Sequence, residues 1–285
     1  MTDMDDGSLH DMSEGSAHLD GAERELAARH TAPRALIIHE IIRDEGEQEL
    51  SRTVTALALS GLAAGLSMGF SFLTEALLQS GLPQSDWRGI VTPLGYSVGF
   101  ILVVLARQQL FTESTLTAVL PVITRRDGKT LRAAARLWAV VLVANLLGTW
   151  IFAAFIHLPG IFSDGVNHAL GDIASQAIPP SFFPTMARAF LAGWLIALMV
   201  WILPSANAAR LLTIMLVTYV VALAHLSHIV AGSAEAAYSV LAGHASMAQY
   251  GALFLVPTLL GNILGGVLMV TVLNHGAVVS EIKSE

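Results

Sequence analysis

Apolar and polar positions divide this chain into three zones. Up to about residue 30 no apolar run forms, and residues 1–22 mix Asp, Ser, Gly and His without a base. That mixture buries too little surface to offset the entropy of ordering, so 1–30 is expected to be a disordered acidic tail on the cytoplasmic side. From Thr31 the pattern changes. Thr31 can cap, Pro33 suits a first helical turn, and Leu36, Ile37, Ile41 and Ile42 recur at helical spacing opposite Arg34, Arg43 and Glu45. The expectation is an amphipathic cytoplasmic helix over 31–52, laid on the protein's own base in preference to a lipid surface.

Beyond Thr53 the apolar runs reach membrane length. A spanning helix needs about 20 mostly apolar residues, and six stretches qualify, at about 53–79, 90–123, 131–158, 183–203, 211–241 and 250–273. The second and fifth are too long for one straight span. Each carries polar residues at its middle, Arg107, Gln108 and Gln109 in one and His225, Ser227 and His228 in the other, so both are expected to be broken. The first apolar run follows a long acidic stretch instead of a short basic one, which is not the pattern of a secretory signal. The amino terminus is expected to belong to the mature protein. Residues 53–275 form the expected six-helix membrane domain, followed by a cytoplasmic tail over 276–285.

Composition sharpens this. Charged residues are 13% of the chain and hydrophobic ones 54%, against roughly 25% charged in soluble domains, and the mean hydropathy is +0.64. A soluble globule does not hide that much apolar surface. The first 52 residues hold thirteen acids and five bases, so the net charge of −7 belongs to the tail and the remainder is nearly neutral. No basic face exists for nucleic acid. With no cysteine, disulfides, thiolate metal sites and thiol catalysis are excluded, and His10, His18, His30 and His39 lack the clustered spacing of a zinc site. No cofactor or metal is expected. Lys and Arg gather in the tail, in the 124–132 loop and at Arg210, whereas the loop 80–89 has Arg88 alone and the loops 159–182 and 243–249 have none. Both termini are therefore expected to be cytoplasmic.

Two motifs suggest an internal repeat. Asn145-Leu-Leu-Gly148 in the third stretch and Asn262-Ile-Leu-Gly265 in the sixth share an Asn-x-x-Gly signature after a broken span, and the separations Phe111 to Asn145 and His228 to Asn262 are both 34 positions. Three spans repeated after an odd number of crossings are inverted in the membrane. Such 3+3 repeats place a site near the midplane, where broken helices from each half meet. Asn145 and Asn262 are expected to cross-link helices by hydrogen bonds, and Gly148 and Gly265, with Gly61, Gly65, Gly69, Gly261 and Gly266, to permit close helix packing.

These residues resemble the formate/nitrite transporter family over about 35–275. The resemblance is carried by Tyr96-Ser-Val-Gly-Phe100, Leu110-Phe-Thr-Glu-Ser114, Asn145-Leu-Leu-Gly148, Leu198-Met-Val200, His228 and Gly261-Asn-Ile-Leu-Gly-Gly266. It implies an all-α, aquaporin-like membrane channel, a homopentamer in a bacterial-type inner membrane, conducting small monovalent anions or their weak acids through each protomer. It also implies two apolar constrictions with a histidine between them. Tyr96, Phe100 and Val200 would narrow one passage and Val221 the other, Leu110-Phe111-Thr112 would break the second span, and His228 would be the central histidine. Apolar slits favour a dewetted, proton-neutralised solute, and an imidazole could donate that proton or supply positive potential.

The chain also departs from the family pattern. Where a lysine usually precedes the fourth span stands Pro180-Ser181, an expected asparagine is Ala197, the residue before the histidine is Ser227 instead of glutamate, and Ala231-Gly232-Ser233 replaces the asparagine after it. The expected solute is accordingly an anion such as formate or nitrite, another small neutral solute, or none, if the fold serves as a membrane sensor or scaffold. Arg107, expected near the midplane, either attracts anions in place of the missing lysine or pairs with Glu113 or Glu235. His225 rivals His228 as the central ring, and replacing His228, not His225, is expected to alter the pH dependence of uptake. No enzyme activity is expected. Ser227 adjoins His228, yet neighbours on a helix do not face each other and no Gly-x-Ser-x-Gly elbow occurs.

Overall fold

The computed structural model describes residues 35–270, so the expected tails over 1–30 and 276–285 and the start of the amphipathic helix lie outside the described residues. The elements are α1 (Ala35–Ser51), α2 (Val54–Gly81), α3 (Arg88–Leu105), α4 (Phe111–Thr117), α5 (Val119–Arg125), α6 (Gly128–Ile156), α7 (Asp164–Gln176), α8 (Phe182–Ile202), α9 (Asn207–Leu223), α10 (Ala231–Leu241) and α11 (Met247–Leu268). Five of these, α2, α3, α6, α8 and α11, are long and apolar enough to cross a membrane, while α9 is apolar but shorter. The second and fifth stretches are both interrupted: α3 stops before α4, and α9 before α10.

Two of the long helices start at a side-chain cap. Thr53 Oγ1 accepts from Ala56 N at the head of α2, and Asp127 Oδ1 accepts from Lys129 N and Thr130 N at 2.9 and 2.8 Å at the head of α6. The Thr130 backbone bond, seconded by its hydroxyl, holds the Asp127 carboxyl below its ordinary range. One helix escapes the hydropathy reading. The 159–182 loop contains α7, whose Val166, Ala169, Leu170 and Ala174 are buried against α2 and α10. With polar residues between them, they make a half-buried helix too short to span.

Two seams hold the core. The helix α2 packs along α6, and α8 along α11. A Cβ added at Gly65 would overlap the Asn145 carbonyl, and one at Gly193 the Asn262 carbonyl; Gly148 and Gly265 meet the carbonyls of Leu62 and Phe190 in the same way. Backbone contact this close requires a residue without a side chain. The short helices cross between the seams. The helix α4 lies against α8 and α11, while α10 lies against α2 and α6.

The amphipathic helix lies on the protein. Ile38, Ile42 and Gly46 are buried while Ile37 and Ile41 face outward, and α1 packs on α4, α5 and α6. A Cβ at Gly46 would overlap the Thr117 carbonyl, so this contact is also backbone to backbone.

Candidate functional site

The breaks begin with two left-handed residues at matched positions, Arg107 (φ 52°) and His225 (φ 50°). The next amide in each reaches back five residues, Gln108 N to Val103 O at 3.0 Å and Leu226 N to Val221 O at 2.9 Å. Beyond that point the backbone is non-helical and needs other partners. Two buried asparagines supply them. Asn145 Oδ1 accepts from Phe111 N at 2.9 Å, and its Nδ2 donates to Gly61 O and Gln109 O at 2.7 and 2.9 Å. Asn262 Oδ1 accepts from Ile229 N at 2.8 Å, and its Nδ2 donates to Ala189 O and Ser227 O at 2.8 and 3.0 Å. Each amide therefore ties a broken span to the opposite helix of its seam.

The second break carries the central ring. His228 is 1% exposed, and its Nε2 lies 2.8 Å from Thr112 Oγ1 on α4. The Nδ1 atom accepts from Val230 N at 3.3 Å and Ala231 N at 3.1 Å, at the start of α10. Two amides pointing at Nδ1 leave no place for a proton there. The neutral ring therefore holds its hydrogen on Nε2 and donates it to the Thr112 hydroxyl. Phe100 stands edge-on to the ring with centroids 5.0 Å apart, and Tyr96 lies 5.4 Å from Phe100.

The apolar residues divide differently from the expected grouping. Tyr96, Phe100 and Val221 share one buried cluster with Leu110 and Phe111. Val200 belongs to another, with Leu116, Leu120 and Ala197 against Ile38 and Ile42 of α1. The reason is its place on α8, near the end that meets α1.

Arg107 is likewise placed elsewhere than expected. Its side chain is 74% exposed and pairs with Glu45 of α1 at 3.0 Å, not with Glu113 or Glu235. The left-handed turn directs it outward to the surface beside α1. Beside it Arg125 pairs with Glu47 at 2.8 Å, and Glu49 accepts from Gln109 Nε2 and Thr117 Oγ1 at 3.0 and 2.5 Å. Glu45 and Glu49 thus fasten α1 to the first break and α4, and Glu47 fastens it to the end of α5. Because the Arg107 pair is exposed, Arg107→Gln is expected to cost at most about 1 kcal/mol in thermal unfolding.

Glu49 behaves differently. Burial pushes its carboxyl above the ordinary 4.5, against the opposing effect of the Thr117 and Gln109 bonds. The docked helix thus binds a proton more readily than the undocked one. Docking should strengthen as pH falls through the raised value and level off near 4.5, whereas rising pH removes this contribution. Hydrogen exchange of the α1 amides should show that dependence, and Glu49→Gln should flatten it.

At the opposite end of α2 a cavity of about 830 Å³ descends to His228. Arg88, Asp172 and Arg188 border it, with His225, Ser227, Tyr96, Thr92 and two carboxyls, Glu75 and Glu235. His225 is exposed in this wall, so of the two candidate rings only His228 is buried between the broken spans. Glu75 is absent from the sequence-based candidates, and Glu235 appears there only as a partner for Arg107. The signal for both is a lone carboxyl in an apolar run with no base at helical distance. Among the described residues no group of three or more potential metal ligands occurs.

A sequence model described as Formate/nitrite transporter matches residues 37–276. The chain belongs to this family. The chain is similar to the inner membrane protein YfdC of Escherichia coli, at 40% identity over 266 residues, covering 93% of this chain and 86% of that one. It is also similar to the formate channel BtFdhC of Bacillus thuringiensis, at 25% identity over 80% of this chain and 89% of the other. A solved pentameric formate channel with formate bound shares the formate/nitrite transporter fold, with a TM-score of 0.68 at 21% identity, covering 81% of this chain and 98% of that one.

Proposed function

We propose that the protein is a membrane channel or transporter for small monovalent anions or their weak acids, formate and nitrite among them. The supporting observation is the 2.8 Å contact of His228 with Thr112, which joins the two broken spans beneath an open cavity. In this reading the six apolar stretches cross an inner membrane as two inverted sets of three with both termini cytoplasmic, and five copies assemble. The matched backbone reversals and asparagine bonds favour the repeat.

The path then has three parts. The cavity admits the solute, Phe100 and Val221 form one apolar passage before His228, and Val200, in the separate cluster with Leu116 and Leu120, narrows the other beyond it. An anion pays heavily to enter such slits, whereas its neutral acid does not. His228 offers Nε2–H as a neutral donor at the polar station between them. For the ring to relay a proton it must first gain one at Nδ1, and so must release the Val230 and Ala231 amides.

Stopped-flow uptake of formate, nitrite, hydrosulfide and acetate by liposomes holding the purified protein tests this. Faster uptake than in empty liposomes for one or more is expected. Silence toward all four, from correctly assembled protein, would leave a sensor or scaffold.

A further inference from the structure

We propose that Glu75 and Glu235 hold a proton between them in the cavity above His228 and hand it to a small weak-acid anion before it enters the apolar passage. The delivery step rests on the channel reading above; the shared proton does not.

The geometry comes first. Glu75 on α2 is 9% exposed, and α10, which packs along α2, carries Glu235 close enough for its charge to act on Glu75. Both border the cavity, and neither makes a hydrogen bond or an ion pair among the described residues. A second set of groups points to a ligand in the same place. Thr92 is 8% exposed, borders the cavity and leaves its Oγ1 without a partner. Tyr96 is 5% exposed, lies within reach of both glutamate charges, and makes no side-chain hydrogen bond among the described residues. Unpartnered donors and acceptors buried to this degree are costly unless something in the cavity serves them.

The remaining charges do not neutralise the pair. Arg88, Arg188 and His225 border the cavity without an ion pair to either glutamate, and Asp172 faces Gln79 and His168 at 3.5 and 3.6 Å. Two neighbouring carboxyls with little solvent access and no paired cation do not both stay ionised, so one proton serves the two. A multidentate metal site is not formed among the described residues.

This arrangement suits a weak acid. An ionised pair repels an arriving anion, whereas a protonated pair offers it a donor. In the step the O–H bond of the carboxylic acid breaks, its electron pair stays on the glutamate, and the proton forms a new O–H bond on the anion. The products are a carboxylate and the neutral acid, and no redox partner is involved. The neutral acid passes Phe100 and Val221 toward the Nε2–H of His228, and a hydronium ion from solvent at the cavity mouth returns a proton to the pair, leaving water.

Two measurements on the full-length protein in liposomes test it, infrared spectroscopy and stopped-flow uptake, with wild type compared to the E75Q/E235Q double variant. At neutral pH the wild-type-minus-variant difference spectrum should show the carbonyl stretch of a protonated carboxylic acid, the subtraction removing the contribution of other buried carboxyls such as Glu49 and Glu113. The variant should take up formate roughly a hundredfold more slowly, with uptake of uncharged formamide equal in both proteins. Should the double variant fail to assemble, E75Q and E235Q singly are expected to remove or shift the band and slow formate. Absence of the band from that difference spectrum overturns the shared proton while leaving the channel reading intact. Unchanged or faster formate uptake in the variants overturns the delivery step, the faster case meaning that the pair only repels anions. A loss of methylammonium uptake with formate unaffected also overturns it, in favour of a cation site. If wild type shows the band but passes no weak acid, the channel reading fails and delivery falls with it.

Discussion

Replacing Asn262 by Leu is expected to destabilise the protein by about 2 to 5 kcal/mol. Leu keeps the branched shape of Asn but is bulkier and cannot hydrogen-bond, so the loss combines three unsatisfied backbone groups with some overpacking. Ile229 N, Ala189 O and Ser227 O would each lose a partner at a depth where no helix supplies another. The consequence extends to the pore, because Ile229 adjoins His228 and its amide fixes the end of the break. Thermal unfolding followed by size-exclusion chromatography in detergent should show a markedly lower midpoint and, in liposomes, little weak-acid uptake. Asn145→Leu strands Phe111 N, Gly61 O and Gln109 O in the same way. The repeat reading requires the two losses to be similar in size. A near-neutral result for either would mean that water or a relaxed helix takes over its bonds.

Much of this framework is legible in the sequence because hydropathy and backbone satisfaction write it there. A stretch too long for one span with polar residues at its centre has to break, and an Asn-x-x-Gly step in a neighbouring span offers both the amide that receives the free backbone and the glycine that lets it approach. The spacing of 34 identifies Phe111 as a partner of Asn145, while for Asn262 the bonded amide is Ile229, one position past His228. What hydropathy does not encode is direction. Arg107 and His225 occupy matched places, yet the first turns out to the surface beside α1 and the second into the cavity wall. The separation of Val200 from Tyr96 and Phe100 is of the same kind, since it depends on which end of α8 meets α1. The carboxyls of Glu75 and Glu235 are visible as letters, but only the packing of α10 along α2 makes them a pair.

His228 allows the two roles of an imidazole to be separated. As a neutral donor it gives the solute one hydrogen bond between two apolar passages, so His228→Leu should lower formate uptake by roughly two orders of magnitude, the range of a lost proton donor in a water-poor site. His228→Asn retains a donor amide of shorter reach and should recover part of that loss, whereas His225→Gln, in the open wall of the cavity, should leave uptake unchanged. The pH profile decides between the roles. A donor that never charges leaves its shape intact in His228→Asn, with the rate lowered at every pH, and the dependence then follows Glu75 and Glu235 upstream. A relay requires the ring to take a proton on Nδ1, against the amides of Val230 and Ala231 at 3.3 and 3.1 Å, and its removal would flatten the profile. Uptake by wild type, His228→Asn and E75Q/E235Q across one pH series therefore assigns the titrating step to the ring or to the carboxyl pair, because each mechanism flattens the curve in a different variant.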